Sequence, residues 1–241
     1  MVGDSFEVEV IMPPGSDPHD FQASAQQVSK MMEADLLVVN GANFEEGMLD
    51  VIASAESDGI LTFEAISVVS QLEGSDDHGD HDDHGDHDDH EGHDHGGIDP
   101  HFFTDPGRMA IVVEELNEFL VANFPNADQG FVSTANSYAQ DLMDLDAEVE
   151  EILSGIPASS RLLVTNHAVF GYFADSYSFE ILGEIIPSSS TLASASAQQL
   201  SNLAEELRSN NVTAIFADAS ASCLLYTSPS PRDLSTSRMP S

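Results

Sequence analysis

Basic residues, cysteine and tryptophan are nearly missing from this chain of 241 residues, which has 6 Lys and Arg, one Cys and no Trp. Set against 43 Asp and Glu, the few cations leave a formal net charge of −37, which excludes nucleic-acid binding through a basic patch. The lone Cys223 allows no intrachain disulfide, so cysteine usage leaves the compartment open. Long apolar runs are absent too. None reaches the roughly 18 residues that a membrane-spanning helix needs, and the opening Met1–Phe6 has neither the basic nor the apolar region of a signal peptide. What is present is 41% apolar residues, enough to bury a core in one large domain or two small ones.

The charge is unevenly spread. Asp76–His95 contains only Asp, Glu, His and Gly, with His78, His81, His84, His87, His90, His93 and His95 in a repeat close to Asp-His-Gly-Asp-His-Asp. A three-residue spacing fits no helical face, and glycines with like-charge repulsion predict a disordered loop over 76–97. Acids dominate the remainder as well, where Lys30 is the one lysine. Molar salt shortens the Debye length to about 3 Å and screens such self-repulsion, so we read the chain as that of a halophile and its general acidity as solvation. Residues 222–241 abandon that style for Ser, Pro and Cys223, and are expected to be a non-native tail on a chain truncated at both ends.

Elsewhere the pattern alternates. Glu7–Met12 predicts a strand, 24–34 a helix, Leu36–Val39 a strand, 48–55 a helix and 60–66 a strand. Near-continuous apolar strands separated by helices predict a parallel sheet covered on both faces. Pro106 starts a helix to about Asn123. Phe131, Ala135, Tyr138, Leu142, Leu145, Val149 and Ile152 then recur at steps of four and three, predicting a helix over 128–153 roughly 38 Å long, longer than one small lobe is wide. Beyond Pro157 the alternation resumes, with strands at 162–165, 179–186 and 212–217 and helices at 168–177 and 197–210. The expected fold is α/β, with two lobes, each a parallel sheet flanked by helices, joined by one long rigid helix. The expected boundaries are 1–125, 126–155 for the linking helix, and 156–221 for a partial second lobe. A cleft between lobes is where a small ligand sits.

Outside the His/Asp run only His19, His101 and His167 remain, and the first two close the same tripeptide, Asp17-Pro-His19 and Asp99-Pro-His101. Proline stiffens the backbone that presents each ring. His167 and Asp218 each end a predicted strand of the second lobe, where ligands of parallel α/β sheets bind. Three neutral imidazoles and a carboxylate suit Zn²⁺, and do not exclude Mn²⁺, Fe²⁺ or Ni²⁺.

Five stretches now carry a resemblance: Met12–Phe21, Asn40–Glu46, Asp99–Pro106, Asn166–Asp175 and Ile215–Asp218. In that order they resemble the motifs of the metal-binding solute-binding proteins of ABC transporters, zinc/manganese class, over about residues 7–221. The resemblance implies a divalent metal ion held between two α/β lobes and delivered to a membrane permease from an extracytoplasmic, periplasmic or cell-surface position, with a lipoprotein anchor in the full-length protein. It implies that His19, His101 and His167 are ligands, with Asp218 standing where many members have Glu. Zinc-specific members often carry a His-rich loop between the first two histidine motifs, which makes His78 to His95 an auxiliary metal loop. Many weak imidazole sites beside the cleft raise the local metal concentration.

The expected function is capture of Zn²⁺, alternatively Mn²⁺, without chemistry. A surface metal buffer or adhesin-like lipoprotein and a zinc hydrolase are the other readings. The hydrolase lacks a His-Glu-x-x-His helix, a G-x-S-x-G elbow and a general base beside a His motif.

Overall fold

The computed structural model of the chain describes residues 1–74, 97–210, 212 and 214–216. The His/Asp run with its seven histidines, Asp218 and the Ser/Pro tail fall outside the described residues.

The first lobe opens with α1 (Ala25–Met32), nucleated by Ser24, whose side chain and that of Gln27 cap each other's backbone. It leads into β1 (Leu36–Val39), α2 (Leu49–Ser57) and β2 (Leu61–Glu64). β1 and β2 pair in parallel, Leu36 facing Leu61 and Val39 facing Glu64, as their apolar runs and the helical crossover demand. Met31, Leu37 and Ala55 close one core beneath this pair.

α3 (Pro106–Asn123) begins at Asp105, whose carboxylate accepts the Arg108 N–H, with Pro106 as the first helical residue. α4 (Phe131–Ser154) follows, 24 residues or roughly 36 Å of helix. Its apolar stripe is buried only at Phe131, Ala135 and Ala139, where α3 lies against it; Leu145 and Ile152 further on are 44% and 65% exposed. α4 nevertheless reaches the second lobe. Tyr177 donates to Asp146 at 2.6 Å, and Arg161 donates to the Leu153 carbonyl at 3.2 Å.

The second lobe holds β3 (Leu162–His167), α5 (Gly171–Tyr177), β4 (Glu180–Ile186) and α6 (Ala197–Ser209). β3 and β4 are parallel, with a bulge between Leu163 and Val164. α6 approaches closely because Gly183 of β4 has no side chain; a Cβ there would stand 2.6 Å from Leu203 Cδ1.

Two expected strands differ. Glu7–Met12 joins neither sheet, and Val8 and Val10 are 63% and 73% exposed: alternation gives a strand only where a neighbour supplies hydrogen bonds, and no described strand lies alongside. Of 212–217 the described part makes one parallel bridge, Phe216 N–H donating to the Val164 carbonyl at 2.8 Å and the Phe216 carbonyl accepting from Asn166 at 3.1 Å. The lobes share a core: Tyr172 of α5, fully buried, packs with Phe63, Ile66, Phe102 and Val112 of the first lobe.

Candidate metal centre

Two turns of identical sequence build the first half of the site. In each, the aspartate accepts the backbone N–H of the histidine two residues on, His19 to Asp17 Oδ1 and His101 to Asp99 Oδ1, both at 3.0 Å. The intervening proline has no N–H to compete and fixes φ, so aspartate and proline together lock the turn.

The rings are held at their Nδ1 edge. His101 Nδ1 lies 2.8 Å from Asp99 Oδ1 and His19 Nδ1 lies 3.2 Å from Glu46 Oε1. A carboxylate only accepts, so Nδ1 carries the proton in both rings and each Nε2 keeps its lone pair. Both Nε2 atoms are buried and without a hydrogen-bond partner. A buried lone pair with nothing to accept is costly in a fold, and a cation relieves that cost.

His167 completes the group from the carboxyl end of β3, its carbonyl accepting the Thr165 hydroxyl at 2.7 Å. The three imidazoles are at most 3% exposed, and one ligand atom from each lies within 4.8 Å of the others. Donors at tetrahedral zinc stand about 3.3 Å apart for bonds of 2.0–2.1 Å, so a shift of about an ångström closes the shell. The structure thus brings His19, His101 and His167 together. Asp218 lies outside the described residues, as do His78 to His95.

The turn after β1 braces the site. Buried Glu45 accepts the N–H groups of Asn40 at 2.6 Å and Gly41 at 3.3 Å, and Asn40 Nδ2 donates to the Pro100 carbonyl at 2.9 Å. Burial pushes the Glu45 carboxyl above its usual range, against the backbone hydrogen bonds that lower it. Phe44 packs nearly perpendicular to both His19 and His101, at 5.0 and 5.6 Å between ring centroids. His19 itself is pushed below its ordinary value near 6.5, first by burial and then by neighbouring His101; Glu46 and Asp17 act the other way. The ring is therefore neutral at neutral pH.

The family described as ZnuA, zinc-uptake complex component A, periplasmic, matches residues 1–226. The chain belongs to this family. The zinc-binding lipoprotein AdcA of Streptococcus pneumoniae is 31% identical over 223 residues, 92% of this chain and 42% of AdcA. The zinc-binding protein TroA of Treponema pallidum is 30% identical over 212 residues, 87% of this chain and 62% of TroA. The TroA structure superposes with a TM-score of 0.68 at 28% identity, covering 86% of this chain and 68% of that one. PsaA of Streptococcus anginosus, a manganese ABC transporter substrate-binding lipoprotein, is 26% identical over 228 residues, 91% of this chain and 67% of PsaA. The chain therefore spans less than two thirds of AdcA and of TroA.

Within this ZnuA-family chain, sequence reasoning missed the partners of the rings. Glu46 and Phe44 lie in a stretch noted only for its resemblance, and the repeated Asp-Pro-His marked Asp17 and Asp99 without revealing that they cap and orient.

Proposed function

We propose that this chain captures a divalent metal ion, Zn²⁺ first, outside the cytoplasm and hands it to an ABC-type membrane permease. The observation that carries this is the buried convergence of His19, His101 and His167, with the Nε2 atoms of the first two unpartnered. Neutral imidazole suits zinc better than manganese, which prefers carboxylate and water, and names among the relatives include both zinc and manganese binders. Asp218 is proposed as the carboxylate ligand from the second lobe, and His78, His81, His84, His87, His90, His93 and His95 as an auxiliary loop of weaker sites. The proposed lobes are 1–125 and 156–221, with 126–155 as the link.

Binding without turnover is supported by the carboxylates beside the rings. Glu46 and Asp99 accept from imidazoles, and so serve the ligands rather than a reacting water. Calorimetric titration with zinc in molar salt tests the reading. His101→Ala is expected to remove the tightest site, while deletion of 76–95 spares it. Loss of all binding on that deletion, with His101→Ala unchanged, would refute the cleft assignment.

A further inference from the structure

The proposed ligands divide unequally: His19 and His101 come from the first lobe, and among the described residues the second supplies His167. The second lobe nevertheless touches both aspartates that set the first-lobe turns. Thr191 Oγ1 donates to Asp17 Oδ2 at 2.7 Å, leaving Oδ1 to accept the His19 N–H. Tyr172 Oη donates to the Asp99 carbonyl at 2.8 Å and accepts the Leu72 N–H at 3.0 Å. Gly171 stands against the Asp99 carboxylate, where a Cβ would lie 2.4 Å from Oδ2. Only a residue without a side chain lets that carboxylate stay where Oδ1 receives both the N–H and the Nδ1 of His101.

Asp99 lines a cavity of about 380 Å³ together with Leu72, Glu73, Ala168 and Gly183. What keeps it aimed are its hydrogen bonds and the tyrosine hydroxyl that clamps its own carbonyl.

We infer that Thr191, Gly171 and Tyr172 are positioning residues through which the second lobe sets the aim of His19 and His101, and hence the metal affinity, without touching the metal. The inference rests on the metal-capture reading above. For His101 the pinned carboxylate holds the ring itself and so keeps Nε2 on the ion, whereas for His19 Asp17 holds the backbone turn that carries the ring, and a turn that wanders spreads the ring over orientations that miss the ion. Partners of this kind change metal affinity by about 10 to 100-fold when altered.

The test compares the full chain with His101→Ala, Thr191→Val, Gly171→Ala and Tyr172→Phe, titrating Zn²⁺ against a competing chelator and recording the visible spectrum of the Co²⁺-loaded protein. Thr191→Val and Gly171→Ala are expected to weaken the tightest site by about 10-fold or more and to change the cobalt band intensities, which report coordination geometry and which loss of stability alone leaves unmoved. Thr191 sits half-buried in a loop, and its replacement by a residue of the same shape is expected to keep the urea midpoint. Should Gly171→Ala or Tyr172→Phe fail to fold, Thr191→Val decides alone. If His101→Ala loses the site while every folded positioning variant matches the parent in affinity and spectrum, the inference is overturned. If His101→Ala binds as the parent does, the metal-capture reading itself is wrong.

Discussion

A histidine becomes a ligand only when one nitrogen is tied down and the other is left with its lone pair, and the carboxylates at Nδ1 perform that division for His19 and His101. Glu46→Gln keeps an acceptor beside His19 but removes the charge, so zinc affinity at neutral pH is expected to fall by about 10-fold in chelator competition. The acid limb should move the other way. Glu46 is one of the influences that raise the His19 pKa, so its loss lowers that pKa further, and the pH at which affinity begins to fall from its plateau, set by protonation of the free ring, moves down. A plateau that falls together with a limb that shifts to higher pH would contradict this. The same depression acts on the metal-free fold: the unfolded chain binds the proton first, so this contribution to stability is complete above pH 6.5 and declines as the pH drops through the lowered value. At this scale the sequence was informative about which imidazoles gather, because three histidines lie outside the run and two share a tripeptide. It was silent about their partners, since Glu46 meets His19 across 27 positions and Thr191 meets Asp17 across 174.

Helices were legible where their signal is local: the N1 proline at Pro106 and the apolar stripe of α4 each mark a helix that is there. Strands were less so, since a strand is stable only beside another. Glu7–Met12 alternates as well as many strands do and pairs with nothing described. Turns were least legible. After β1 the chain holds three successive residues at positive φ, Gly41 at 88°, Ala42 at 50° and Asn43 at 58°, a strained path that puts Glu45 and Glu46 under the site. At Gly41 a Cβ would also lie 2.2 Å from the Glu64 carboxylate. Gly41→Ala is therefore expected to cost about 1–3 kcal/mol in urea unfolding, through backbone strain and the displaced Glu64. An unaltered midpoint would show that this turn relaxes freely.

For the molecule as a whole, the question is how far two lobes that share a core can move. Arg108 of α3 answers much of it: its guanidinium donates to Asp105, to Ser176 at 2.9 Å and to Asp175 at 2.8 Å, and lies 4.8 Å from the centre of the Tyr172 ring. The first lobe thus holds α5 by charge and ring face at once, while α4 spans both lobes as one uninterrupted helix. Replacing Arg108 by Met leaves the buried Asp105 carboxylate without its cation and is expected to cost about 3 kcal/mol. Zinc loading should then be a local event. Ligand atoms within 4.8 Å of one another need about an ångström of travel, which the turns at 17–19 and 99–101 supply without a hinge. Small-angle scattering of the parent chain, with and without one equivalent of zinc, is expected to give radii of gyration that differ by less than about 0.5 Å, in contrast to the hinge closure of proteins whose lobes swing on flexible strands. Arg108→Met is expected to enlarge that difference, because it loosens the hold of the first lobe on α5. Large closure in the parent would mean that α4 and the Tyr172 core do not restrain the lobes, and that His167 travels to the ion with its whole lobe.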